Sequence, residues 1–118
     1  MRLFLMPIAL AMFTSTPALA HAHLIGSTPA ANAKLAETPA EVVIDFSESI
    51  EPKFSAIEVD DAKGARVDKD DVHIAPGNAK RLAISVNPLA AGLYKVVWHV
   101  TSTDTHKTKG SFSFSVGE

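Results

Sequence analysis

Apolar and polar residues alternate with a period of two along much of this chain. Val42, Ile44 and Phe46 share one face of the segment 41–46. Leu82, Ile84 and Val86 alternate with Ala83 and Ser85, and Tyr94, Val96, Trp98 and Val100 alternate with Lys95, Val97, His99 and Thr101. Phe112, Phe114 and Val116 alternate with Ser113 and Ser115. Side chains of an extended strand point alternately to the two faces of a sheet, so the pattern predicts half-buried strands. Weaker strands are expected at 24–26, 54–60 and 72–74. Turn signals fall between them: Pro29, Pro39 and Pro52, then Ala62-Lys63-Gly64, Pro76-Gly77-Asn78 and Ala90-Ala91-Gly92. Pro29 and Pro39 leave room for no more than a helical turn between them. Short strands at this spacing predict an all-β domain, a sandwich or barrel of about seven strands. Trp98, Phe46, Phe112 and Phe114 are its expected core.

The alternation is missing at the start. Met1-Arg2 is followed by an almost purely apolar run over residues 3–13, then by Thr14-Ser15-Thr16-Pro17 and Ala18-Leu19-Ala20. A positive start, a short apolar stretch and a small-x-small end make a secretory signal peptide, cleaved after Ala20. The stretch is too short for a bilayer, which needs roughly 20 apolar residues. The chain therefore divides into a leader, 1–20, and one domain, 21–118. Cleavage removes Arg2, the one charged side chain of the leader, and moves the net charge from −2 to −3. It also makes His21 the terminal residue, which joins a free amine to an imidazole as a ligand pair.

Composition removes several classes of function. The 118 residues include no cysteine, which excludes a disulfide partner, an iron–sulfur site and a thiolate zinc site. Eleven Lys and Arg against 13 Asp and Glu supply no basic stripe for nucleic acid. There is no G-x-S-x-G elbow, no phosphate-cradling glycine loop and no H-E-x-x-H helix. Glu48 and Glu51 flank Pro52, and nothing sets them across a cleft as a catalytic pair. The acid-rich stretch 60–71 lacks a glutamate at the calcium-loop offset and reads as a solvated hairpin. His73 has no ligand partner at useful spacing, and His99 faces away from Trp98.

What remains is nitrogen and oxygen chemistry at two places. Asp104-Thr105-His106 lies between the two best-defined strands. In extended geometry residues two apart project to the same side, so a carboxylate and an imidazole converge at a loop tip. If the N-terminal strand pairs near that end, His21 joins them. Such a donor set suits Cu(II), and the lack of thiolate or thioether argues against Cu(I). All three methionines, Met1, Met6 and Met12, lie in the leader. His23 opens a competing geometry, because an amine with histidine at the third position can wrap Cu(II) through the intervening amide nitrogens. A D-x-H loop taken alone is most often solvated surface.

Four stretches, in order, resemble the CopC family of periplasmic copper-binding proteins, including its YobA-like members. They are His21-Ala22-His23-Leu24 with Ser27-Thr28-Pro29-Ala30; Phe46-Ser47-Glu48 continuing to Glu51-Pro52-Lys53-Phe54-Ser55; Gly92-Leu93-Tyr94-Lys95-Val96-Val97-Trp98; and Ser102-Thr103-Asp104-Thr105-His106 leading to Gly110-Ser111-Phe112-Ser113-Phe114. The resemblance implies a Greek-key, Ig-like β-sandwich with a Cu(II) site. It implies that His21 binds through amine and imidazole as a histidine brace, with Asp104 and His106 as loop ligands. Glu48 would sit near the metal as an outer or axial group, and His23 is a supporting or alternative ligand. Residues 61–80, where some members carry a methionine-rich Cu(I) loop, contain no methionine, so a Cu(II)-only member is expected. The implied role is periplasmic copper homeostasis or resistance, by sequestration or by delivery to an inner-membrane transporter of the CopD type, without catalysis. Two rival readings stay open: a copper-dependent oxidative enzyme built on the same brace, and an Ig-like interaction module that binds no metal.

Overall fold

The computed structural model describes residues 22–117; the expected leader and His21 lie outside them. The strong period-two segments are all strands. In chain order they are β1 (Leu24–Thr28), β2 (Lys34–Leu35), β3 (Glu41–Phe46), β4 (Ala56–Asp60), β5 (His73–Ala75), β6 (Asn78–Ser85), β7 (Gly92–Thr101) and β8 (Lys107–Val116). No α-helix occurs among the described residues. They form two four-stranded sheets, ordered β1-β3-β6-β5 and β2-β8-β7-β4. Only β5–β6 and β7–β8 are hairpins, and the other connections cross between sheets in the Greek-key manner. The eighth strand, beyond the seven expected, is the two-residue β2, which runs parallel to the end of β8.

The predicted faces are the buried ones. Val42, Ile44 and Phe46 of β3 and Leu82 and Ile84 of β6 meet Tyr94, Val96, Trp98 and Val100 of β7 and Phe114 and Val116 of β8 in one core. The sheets touch where Phe46 meets Trp98 edge-on, with ring centroids 5.2 Å apart. Tyr94 stacks on Phe114, its cross-strand partner, and its buried hydroxyl donates to the Ala90 carbonyl. Gly110 lies opposite Trp98. A Cβ there would stand 2.5 Å from the indole, so the glycine lets the ring lie flat across β8.

Three expectations need correction. Phe112 is only partly buried, at the margin of the core, because β2 extends the sheet only at Ser115 and Val116. The segment 54–60 is not all strand. Pro52 fixes its own φ and starts a 3-10 turn, Pro52–Phe54, and Phe54 ends 71% exposed. The segment 29–38 holds β2 and a turn rather than a helical turn.

The acid-rich 60–71 stretch is also more than a solvated hairpin. The Asp68 side chain is fully buried against Arg66. It accepts from the Val59 amide at 2.8 Å and the Asp70 amide at 2.9 Å. Backbone bonds from Val67 to Val59 and from Lys69 to Ser85 tie this connection to both sheets. His99 is exposed, as its facing away from Trp98 predicts, and His73 is exposed as well.

A candidate metal centre at one end of the sandwich

The connection between β7 and β8 is short and tightly closed. The Ser102 amide donates to the His106 carbonyl at 2.9 Å, and the Thr105 amide donates to the Ser102 carbonyl at 2.9 Å. Thr105 takes a left-handed conformation, with φ at +74°. Asp104 and His106 do converge, as expected, but by this turn rather than by extended geometry. His106 Nδ1 lies 3.1 Å from Asp104 Oδ2. The buried Ser102 hydroxyl donates to Asp104 Oδ1. That bond first, and the His106 contact second, hold the Asp104 carboxyl below the usual carboxylate range. Asp104 therefore stays ionised through mildly acidic pH.

This geometry suits metal chemistry. A carboxylate on one ring nitrogen fixes the tautomer and aims the other nitrogen outward, as in carboxylate–histidine–metal triads. Both side chains are close to half exposed, at 46% and 42%, so an ion reaches them from solvent.

Two further segments arrive at the same end. Thr103 donates to the Ser49 carbonyl at 3.0 Å, which sets 47–50, and Glu48 within it, beside the loop. Ser47 in turn clasps the start of the described chain. The His23 amide donates to Ser47 Oγ at 2.8 Å, and the Ser47 amide donates to the His23 carbonyl at 2.8 Å. Ala22 is buried, and its carbonyl accepts from Thr108 Oγ1 at 2.8 Å. Thr108 is two residues past His106, so the residue next to His21 is pinned beside the loop.

Of the expected ligands, Asp104 and His106 are in direct contact, His23 and Glu48 flank them through Ser47, and His21 lies outside the described residues. Among the described residues no three His, Cys, Asp or Glu side chains cluster closely enough to hold a metal. Sequence reading missed Ser102, Thr108 and Ser47. Serine and threonine in strands and turns carry no distinctive pattern, and only the fold gives them partners.

Known proteins share this frame. Protein YobA of Escherichia coli K12 is 38% identical over 113 residues, covering 92% of this chain and 91% of its own. The crystal structure of CopC from Methylosinus trichosporium OB3b superposes with a TM-score of 0.77 at 29% identity, covering 81% of this chain and 93% of that one. PcoC, described as a methionine-rich copper resistance protein from Escherichia coli, superposes with a TM-score of 0.68 at 34% identity, covering 82% of this chain and 99% of that one. The CopC domain model matches residues 24–117, and the chain belongs to the CopC domain family.

Proposed function

We propose that this chain is exported, cleaved after Ala20, and binds Cu(II) in the periplasm as a homeostasis or resistance protein. The observation that carries the proposal is the convergence of the Asp104–His106 pair with the pinned segment Ala22–His23 at one end of the sandwich. His21 would contribute its amine and imidazole and His106 a ring nitrogen; Asp104, whose oxygens now meet His106 Nδ1 and Ser102, would give a carboxylate oxygen to the same ion once the His106 ring turns from it. Glu48 would stand by as an outer group. Copper is the cargo, sequestered or passed to a membrane transporter of the CopD type, and the protein is a carrier rather than a catalyst. The copper resistance and CopC names of the structural relatives support this reading. PcoC is described as methionine-rich, whereas residues 21–118 here contain no methionine. Only nitrogen and oxygen donors are left, which favours Cu(II).

The hydrogen bonding also favours the brace over the terminal wrap. A wrap needs the His23 amide nitrogen deprotonated on copper, but that amide donates to Ser47. Calorimetric titration of the mature protein with Cu(II) tests the whole assignment. His21→Ala and His106→Ala should each weaken binding by about tenfold or more. His23→Ala should leave the electron paramagnetic resonance spectrum unchanged. Wild-type affinity in both of the first two variants overturns the brace.

A further inference from the structure

A groove of about 690 Å3 opens beside the loop end of β7 and β8, lined chiefly by Phe54, His99, Thr105, Lys107, Thr108 and Lys109. Phe54 is one of only three large hydrophobic residues exposed among the described residues. Its backbone is firmly held. The Thr101 hydroxyl donates to the Phe54 carbonyl at 3.0 Å, and the Thr101 amide donates to Ser55 Oγ at 3.0 Å. The residue is therefore held at the groove by its backbone, and a partner has only the ring to order. Lys109 stands opposite His99 in the sheet, and Lys107 opposite Thr101. No Asp or Glu lines the groove. Neither lysine forms a salt bridge among the described residues. This positive spot lies on a chain whose net charge is −2.

Lysines along a sheet edge can serve simply to block edge-to-edge pairing. That role explains Lys107 and Lys109 but not an exposed aromatic held by its backbone in the same groove. We propose that this groove docks an acidic protein segment bearing an apolar side chain. Phe54 packs against the apolar side chain, and Lys107 and Lys109 meet the carboxylates. Two lysines are too few for a membrane surface, where basic clusters of about 4–8 residues are the rule. Thr105 belongs both to the groove and to the Asp104–His106 loop, so on the copper reading above the docked partner lies next to the metal. Docking itself requires no metal, and metal-free protein separates the two ideas.

The probe is a fluorescein-labelled peptide alternating Glu and Leu, with a Gln/Leu peptide as control, titrated into metal-free mature protein. Amide resonances of the 15N-labelled protein locate the contact. The acidic peptide should bind and shift resonances around Phe54, His99, Lys107 and Lys109, while the control binds about tenfold more weakly. Binding should fall as salt rises from about 50 to about 300 mM. Phe54→Ala and the pair Lys107→Glu with Lys109→Glu should each weaken it by about tenfold. These side chains are exposed, and thermal melts check that the variants stay folded. No binding at millimolar peptide, shifts centred elsewhere, or unchanged affinity in folded variants overturns the proposal. So does Phe54-dependent sedimentation with phosphatidylglycerol vesicles in place of peptide binding.

Discussion

Thr105 sits at the tip of the candidate site with φ at +74°, a conformation that crowds a β-branched side chain. Such a residue costs of order 1–3 kcal/mol and persists only where its surroundings impose it. Here the closing bonds between Ser102 and His106 and between Thr105 and Ser102 impose it. Thr105→Asn, which tolerates this region, should raise the unfolding free energy by about 1 kcal/mol in urea denaturation. A fall instead would show that the Thr105 side chain contributes more than its strain costs. Gly110 makes the opposite case. A methyl group there meets the Trp98 ring at 2.5 Å, and neither strand can give way without loss of pairing. Gly110→Ala should destabilise by about 1–3 kcal/mol, with a change in Trp98 fluorescence that reports the displaced ring.

At the scale of the element, β8 does two jobs. Its C-terminal half pairs on both sides, with β7 and β2, and carries the buried Phe114 and Val116. Its N-terminal half is left with less cover, and Thr108 there reaches across to the Ala22 carbonyl. This one bond joins the start of the domain to the hairpin that presents His106, across 86 positions of sequence. Thr108→Val keeps the shape and removes the donor. Stability should change little, by about 1 kcal/mol. On the proposed function, Cu(II) affinity should fall several-fold through a faster off-rate, because Ala22, the residue next to His21, is no longer tied to the hairpin. Stopped-flow removal of copper by a chelator measures it, and an unchanged off-rate would mean that Ser47 alone holds the segment.

For the whole molecule, several exposed carboxylates share one pH dependence. Asp45 is lowered first by its hydrogen bond from Arg81, Asp71 by hydrogen bonding from Ser85, and Asp104 by the Ser102 hydroxyl and then His106. A depressed pKa in the folded state means that the unfolded chain binds protons first as pH falls. The stabilisation is present above the usual carboxylate range and is lost as pH drops through the folded values. Stability should thus be flat from neutrality down to about pH 5 and decline below about pH 4, as read from denaturation midpoints. On the proposed function, Cu(II) affinity should begin to weaken before this, because amine and imidazole ligands bind only when deprotonated. Affinity that does not change between neutrality and about pH 5 would contradict the histidine assignment.

For β3, β6, β7 and most of β8 the period-two pattern by itself determined the strand and its buried face, because the pleat turns alternate side chains to opposite sides. Spacing also supplied Asp104 and His106 as a pair, and composition leaves residues 21–118 without cysteine or methionine. The pattern did not determine which strands are neighbours. A pleat fixes a face and not a partner, so the β2–β8 pairing, the edge that leaves Phe112 half covered and the crossings between sheets belong to the fold. The same holds for Asp68. Its sequence neighbours are charged, and only the crossing connection places it under Arg66 and the Val59 amide. At the candidate site the sequence named the residues that could bind an ion. The tertiary structure alone decided what positions them, by a left-handed turn at Thr105, the Ser102 hydroxyl and the Thr108 link. Hydrogen bonds between residues distant in sequence leave no periodic trace along the chain.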